Sequence, residues 1–299
     1  MTHMSTIQSD SDLALRLGLT WPEVNEQART AGSRYHVYPL LMGHKKRWIE
    51  APDAELKILQ RRLLDRLLYE LEPTRWAHGF TKGKSIVSNA AEHCGRQWVV
   101  SLDIKDFFPS VSRQQVAEVL GELLPDESEC QLVADLVTRR GRLPQGAPTS
   151  PHLANLVVRS MDDRLNEMAR SLDWNYTRYA DDMSFSGDVE PRSILSEGRK
   201  IVSAAGFKLS ERKTTMRGQH QRQSVTGLVV NEKLALPREK RRRLRAMLHR
   251  LERQGELDSG IVESLATING HLAFLAMVSP NEFAEQRVQL ATLLQEVDQ

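Results

Sequence analysis

Two carboxylates stand side by side in RYADDMSFSG, Arg178 to Gly187, between two short apolar runs. Adjacent like charges repel, so Asp181 and Asp182 either lie in water as a polar turn or are held together by something cationic. A third acid, Asp103, falls near the end of the apolar run WVVSLDI, Trp98 to Ile104. Three carboxylates delivered by two neighbouring strands can converge on divalent cations, which relieve the repulsion. Two Mg²⁺ ions about 3.5–4 Å apart can activate an attacking hydroxyl and stabilise the leaving oxygen of an in-line phosphoryl displacement. Polymerases and nucleases both use that chemistry, and a nucleotide site is what separates them.

The elements around these acids alternate. WVVSLDI reads as a buried strand, and Tyr176 to Tyr179 with Met183 to Ser186 read as a hairpin that carries the acidic pair at its tip. Pro148 and Pro151 introduce a helix in which Leu153, Leu156, Val157, Ser160, Met161, Leu165 and Met168 keep one face largely apolar. A further helix runs up to Ala205, followed by FKLS, Lys213 and the strand-like SVTGLVV. Earlier, Leu56, Leu59, Leu63, Leu67 and Leu71 mark an amphipathic helix that Pro73 ends. The first 30 or so residues read as an N-terminal arm or a small helical cap, and there is no internal repeat or low-complexity segment.

With 299 residues, 40% hydrophobic and 27% charged, the chain has the composition of an ordinary globular protein with a substantial core. No apolar stretch approaches the roughly 20 residues that span a bilayer. The polar start MTHMSTIQSDSD lacks the apolar core of a secretory signal, so a cytoplasmic protein without a membrane partner is predicted. Cys94 and Cys130 have no metal-ligand spacing and read as reduced, structural thiols. The net charge of +2 hides an asymmetry: between Pro237 and Arg253 eight Lys or Arg face two acids, whereas beyond it seven acids face Arg287 alone. Leu244, Met247, Leu248 and Leu251 recur at helical spacing there, giving a helix with one packed stripe and a basic remainder. That remainder is either a solvated face or a phosphate-binding one.

From about His44 to about Pro280 the chain resembles a reverse transcriptase. YADD, Tyr179 to Asp182, matches the family's catalytic box; SLDIKDFFPSV, Ser101 to Val111, matches the box of the first Asp; LPQGAPTSPHLAN, Leu143 to Asn155, matches the box that frames template and nucleotide. GFTKGKSI, Gly79 to Ile86, takes the place of the fingers segment, and Gly206 to Lys213 that of the motif whose lysine approaches the triphosphate. Within the family the likeness is to bacterial retron enzymes: NAAEH, Asn89 to His93, fits their N-A-x-x-H signature, Val225-Thr226-Gly227 fits their VTG, and GHLAFLAMVSP resembles the end of their compact thumb. Taken singly, His93 reads equally as a core histidine and VTG as a strand ending in glycine. A group II intron maturase or an integrating element is expected to continue into further domains.

The resemblance implies an α+β right-hand polymerase, with an arm or cap over residues 1–30, fingers and palm over 31–235 and a compact, helical, RNA-binding thumb over 236–299. It implies catalysis by Asp103, Asp181 and Asp182 on two Mg²⁺ ions, with Mn²⁺ as a substitute. Asp103 and Asp181 would hold both metals, Asp182 would complete the site, and the Ile104 carbonyl would be a further ligand. Lys82 and Lys84 become candidates for the triphosphate, although the family more usually carries arginine there, and Lys213 for the departing pyrophosphate. Phe108 would exclude a ribose 2′-hydroxyl and Gln145 would touch the nucleotide or template base. Asn89, His93, Val225, Thr226, Gly227, Arg241, Arg242 and Arg245 would serve RNA recognition. Enzymes of this kind take dNTPs and a structured noncoding RNA as template and primer. They start from a 2′-hydroxyl of an internal guanosine and leave a branched RNA–DNA product, multicopy single-stranded DNA, in antiphage defence with a separately encoded effector protein. A two-metal nuclease, an RNA–DNA scaffold that restrains a toxin effector, and another group II-like bacterial reverse transcriptase are the competing readings.

Overall fold

The computed structural model describes residues 10–43, 45–254, 259–281, 283–285 and 287–288. Helices α1 (Asp10–Leu17) and α2 (Trp21–Ala31) lead into a hairpin of β1 (Tyr35–Met42) and β2 (Lys45–Pro52). Helix α3 (Ala54–Arg66) starts where the Asp53 carboxylate accepts the Leu56 N–H at 2.9 Å, a side-chain cap on an otherwise orphaned donor. It stops at Arg66, short of the leucine run to Leu71, because Leu67 leaves helical geometry and a 3₁₀ turn over Leu68–Glu70 carries the chain to Pro73. Then follow α4 (Ile86–Ala91), β3 (Trp98–Asp103), α5 (Phe107–Ser110), α6 (Arg113–Leu120), α7 (Glu127–Val137), α8 (Ser150–Val157), α9 (Arg159–Ser171), β4 (Trp174–Tyr179), β5 (Asp182–Gly187) and α10 (Arg192–Ala204). Strands β6 (Thr215–Gly218), β7 (Ser224–Val225) and β8 (Leu228–Val229) precede α11 (Arg238–Gln254) and α12 (Ser259–Val278).

The palm is an antiparallel sheet in the order β4-β5-β3-β6. Its two faces follow from alternation along each strand. Val100 and Leu102 of β3, with Met183 and Phe185 of β5, join the large core shared with Leu165 of α9 and with Ile194 and Val202 of α10. The residues between them, Ser101, Asp103, Asp182, Ser184 and Ser186, belong to the opposite face. A second core gathers Ala90 of α4, Val99, Val225, Leu228, Leu244 and Leu248 of α11, and Leu272 and Leu275 of α12. This core seats the thumb on the palm.

Two further elements differ from the sequence expectation. The apolar face running from Leu153 to Met168 belongs to two helices, broken at Val158 with φ −94° and ψ 9°. SVTGLVV is a hairpin, because Thr226 and Gly227 both take positive φ, 46° and 78°, and turn the chain back. In FKLS, Leu209 forms an isolated antiparallel bridge with Ile104 beside the end of β3. At the N-terminus, Leu13, Leu17 and Val24 are fully buried in the same core as α3 and α7. Residues 1–9 of the expected arm, and residues 289–299 of the expected thumb, lie outside the described residues.

Candidate active site

Asp103 ends β3 and Asp182 begins β5, and the register sets them directly opposite one another. Tyr179 pairs with Asp182, which leaves Ala180 and Asp181 as a two-residue turn, with Ala180 at φ 57°. The Asp181 carbonyl accepts the Ile104 N–H at 3.0 Å, so the turn is tied to the end of the neighbouring strand. Three carboxylates thus meet at one end of the sheet. Lys213 ion-pairs with Asp103 and stands 3.7 Å from the Asp181 carboxylate, while the Ser210 N–H holds the Asp103 carbonyl at 2.8 Å.

Crowding shows in the acidity. Partial withdrawal from bulk water, then the charge of Asp181 and the hydrogen bond and charge of Asp103, push Asp182 up to about 7, with Lys213 pulling the other way. The residue still presents open surface, so neighbouring protein and neighbouring charge act together on it. Asp181 is raised too, by burial first and then by Asp103. Among the described residues no three acid, imidazole or thiol side chains already close into a cation cage. The donors nonetheless fit divalent cations: hard carboxylate oxygens on facing strand ends, with more negative charge than one lysine neutralises. Asp103 and Asp181 would hold them, Asp182 stands adjacent, and Ile104 borders the cleft with its amide already engaged.

A cleft of ≈ 680 Å³ opens in front of the acids, lined by Asp181, Lys213, Ile104, Phe108 and Gln145 and by the fingers hairpin. Its cations are Lys46 and Arg47 of β2 and Arg139, Arg140 and Arg142 of the turn before LPQG. These were not anticipated from sequence; the runs HKKRW and RRGR were their signals, and pairing of β2 with β1 is what turns the first toward the palm. The hairpin is latched by Glu50. Its N–H donates to the Gln145 carbonyl at 2.8 Å, its nearly buried carboxylate pairs with Arg139, and a Cβ on Gly146 would come within 2.8 Å of its carbonyl oxygen. Neither Lys82 nor Lys84 lines this cleft. Lys84 instead donates to the Arg75 carbonyl beside His78 and borders a separate pocket with Trp76 and Arg170, which removes it as a triphosphate ligand in this arrangement. Lys82 is exposed on the preceding turn, outside the cleft.

Beneath the acidic turn lies a second feature that sequence did not reveal. Arg178 is fully buried. Its guanidinium donates to both oxygens of buried Asp162 at 2.8 and 2.7 Å, to Asn155 Oδ1 at 2.9 Å and to the Ala180 carbonyl at 3.0 Å. Tyr176 and Thr74 hydroxyls complete Asp162 at 2.7 and 2.9 Å, and Asn155 Nδ2 donates to the Gly79 carbonyl at 2.8 Å. A charge this deep persists only when paired and hydrogen-bonded. This one holds the Ala180-Asp181 turn directly and, through Asn155, ties it to residues 143–155 and to Gly79.

The two retron signatures are structural neighbours. Asn89 and His93 have no exposed surface. His93 joins Ser186 of β5 at 2.8 Å to Thr177 of β4 at 2.7 Å, and burial, then the charges of His78 and Arg96, lowers it to about 3. Neither side chain can reach RNA in this arrangement, which corrects the expectation of direct contact; His93 is a core histidine that fastens β4 to β5. Val225 is buried in the thumb seat, the Thr226 hydroxyl donates to the Ile86 carbonyl of α4 at 2.8 Å, and Gly227 supplies the exposed end of the turn. On α11, Leu244 and Leu248 face the second core while Arg241, Arg242 and Arg245 line a surface groove with Arg238 and Arg243. The side chain of Leu251 lies outside the described residues.

Residues 42–230 match the family described as reverse transcriptase (RNA-dependent DNA polymerase), and the chain belongs to it. Solved structures agree on the fold: a foamy viral protease–reverse transcriptase in complex with double-stranded DNA superposes with a TM-score of 0.53 at 16% identity, over 88% of this chain and 39% of that one. Within the family the chain is a bacterial retron reverse transcriptase by similarity. It is 38% identical over 256 residues to the Retron Mx65 reverse transcriptase of Myxococcus xanthus, covering 79% of this chain and 59% of that protein. It is 33% identical over 258 residues to the Retron Ec86 reverse transcriptase of Escherichia coli, covering 83% and 78%. The chain thus spans less than two thirds of the Myxococcus relative's own length.

Proposed function

We propose that this protein is an RNA-directed DNA polymerase that copies part of a structured noncoding RNA from a 2′-hydroxyl within that RNA, yielding single-stranded DNA branched to it. The observation that carries the reading is the pairing of Asp103 with Asp182, with Asp181 in the adjoining turn, before a cleft that holds Phe108, Gln145 and a basic wall. Divalent cations, Mg²⁺ in the cell with Mn²⁺ able to substitute, would when bound there polarise the reacting phosphoryl group and offset its charge. The chain's own groups do the rest. Asp103 and Asp181 carry the ligand oxygens, and Lys213, already on Asp103, can turn to the triphosphate as a cation or proton donor. Lys46, Arg47 and Arg140 border the cleft where a polyphosphate needs positive charge. Phe108 presents a ring face that offers a 2′-hydroxyl no hydrogen bond, which disfavours ribonucleotides, and Gln145 lies where it can meet the base pair. Arg241, Arg242 and Arg245 offer phosphate contacts to an RNA recognised by shape. Action in the cytoplasm, in antiphage defence beside a separately encoded effector, completes the proposal; among the described residues no helix is long and apolar enough to cross a membrane. Purifying the chain from its host and sequencing the nucleic acid that accompanies it tests this. A DNA joined through a 2′ linkage to one structured RNA is the expected finding, and unrelated RNA without DNA would refute it.

A further inference from the structure

Phe80 carries a feature that neither the core nor the proposed chemistry requires. Its φ is 61°, in the left-handed region that large L side chains rarely occupy. The ring is 49% exposed, so burial does not repay the conformation. Strain of this kind persists where the surrounding structure over-determines it, and here two contacts do so. Gly79 is pressed against the catalytic turn so closely that a Cβ would lie 2.5 Å from the Ala180 nitrogen, and its carbonyl is held by Asn155. With residue 79 fixed there, the left-handed step at residue 80 directs the ring onto Phe108, centroid to centroid 6.0 Å at 43°.

Phe108 therefore has two aromatic neighbours of different kinds. Phe107, 5.7 Å away, is a core residue that packs on Phe207. Phe80 comes from the segment over residues 79–86, follows the glycine pressed against the Ala180-Asp181 turn, and is about half exposed. We infer that Phe80 is a positioning residue for sugar selection: it braces the ring of Phe108 so that the space beneath the incoming sugar stays closed to a 2′-hydroxyl. The inference rests on the reading of Phe108 as the group that excludes that hydroxyl. Without the brace, the Phe108 side chain regains rotamers that core packing by Phe107 alone does not forbid.

The test compares insertion of one dNTP and its rNTP counterpart on a single primer–template, as kcat/KM ratios, for the wild-type chain, Phe80→Gly, Phe80→Tyr, Phe108→Ala and the Phe80→Gly/Phe108→Ala double variant. Thermal melting of each accompanies it. Glycine welcomes φ 61°, so Phe80→Gly is expected to melt no lower than wild type, whereas loss of an ordinary packing residue lowers the midpoint. Its dNTP preference should nonetheless fall about three- to tenfold, the span an aromatic pair contributes. Phe80→Tyr, which keeps the ring, should retain the wild-type ratio. Phe108→Ala should lose the preference, and the double variant should lose no more than Phe108→Ala, because Phe80 acts through Phe108. An unchanged ratio in Phe80→Gly beside a lowered one in Phe108→Ala would overturn the role of Phe80 and leave that of Phe108 standing. Additive losses would also overturn it, by making the two residues independent. Unchanged ratios in both single variants would remove the reading of Phe108 itself.

Discussion

Replacing Arg178 by methionine should separate what the buried ion pair does for stability from what it does for synthesis. The side chain gives four donated hydrogen bonds: two to Asp162, one to Asn155 and one to the Ala180 carbonyl. Its loss leaves the Asp162 carboxylate fully buried with only the Tyr176 and Thr74 hydroxyls for company. Stranding one partner of a buried pair costs about 3–5 kcal/mol, a large part of the roughly 5–15 kcal/mol that holds a typical domain folded. In a chain of this size that corresponds to a melting midpoint lower by roughly 6–20 °C. Adding Asp162→Asn removes the stranded charge yet keeps an acceptor for Tyr176, so most of that loss should return. DNA synthesis should not return with it, because the Ala180 carbonyl and Asn155 remain without the guanidinium that fixes the Ala180-Asp181 turn. Thermal melting and primer extension on all three proteins measure the two quantities. A single variant within about 1 kcal/mol of wild type would refute the energetic claim, and wild-type extension by the double variant would refute the positioning claim.

Other perturbations have defined outcomes. Asp182 is raised to about 7, above the range of a free carboxylate, so between those values the folded state binds the extra proton and its stability falls as pH rises. Asp182→Asn should therefore melt no lower than wild type without divalent ions at neutral pH. It should also abolish DNA synthesis, whereas Asp181→Asn should lose most of the stabilisation that added Mg²⁺ gives the wild type; a wild-type Mg²⁺ response of Asp181→Asn in a melting series would contradict this. His93 behaves oppositely: lowered to about 3 by burial, it is neutral when folded and protonated when unfolded below about 6.5. Stability should fall with pH through that window by up to about 1.4 kcal/mol per unit, and His93→Gln, though less stable at pH 8, should flatten the slope, as denaturant titrations at pH 7, 6 and 5 would reveal. On the thumb, Gln at Arg241, Arg242 and Arg245 should weaken binding of the structured RNA and flatten its salt dependence by about two units of log–log slope, at roughly 0.7–0.9 per lost phosphate contact. An unaltered slope would make that face a solvated one.

What sequence makes legible here is what local pattern determines. Alternation in WVVSLDI and MSFSG fixes which side of each strand is apolar, and a two-residue turn between Tyr179 and Asp182 forces the acids to the sheet's end, so the triad was readable before any fold was known. Leu244 and Leu248 declared the buried stripe of α11 in the same way. The rest depends on tertiary placement. The GFTKGKSI loop gives no period from which to tell where Lys84 points, and the turn at Gly83 sends it away from the cleft. Lys46 and Arg47 reach the cleft only because the β1–β2 hairpin folds over the palm, latched by Glu50 to Arg139 across 89 residues of chain. Nothing local marks Arg178 for burial, and its partner Asp162 lies on α9 with no pattern connecting the two. Likeness to the N-A-x-x-H motif marked Asn89 and His93 as important without saying that they face inward, although the adjacent Ala90 shares their buried side.

Extension of a primer on an RNA template with dNTPs and Mg²⁺, by the wild-type chain and by Asp181→Asn, tests the central claim most directly. DNA that grows in register with the template for the wild type, and no product for a folded Asp181→Asn, is the expected result. Undiminished extension by Asp181→Asn, or cleavage of the nucleic acid in place of extension by the wild type, would contradict it.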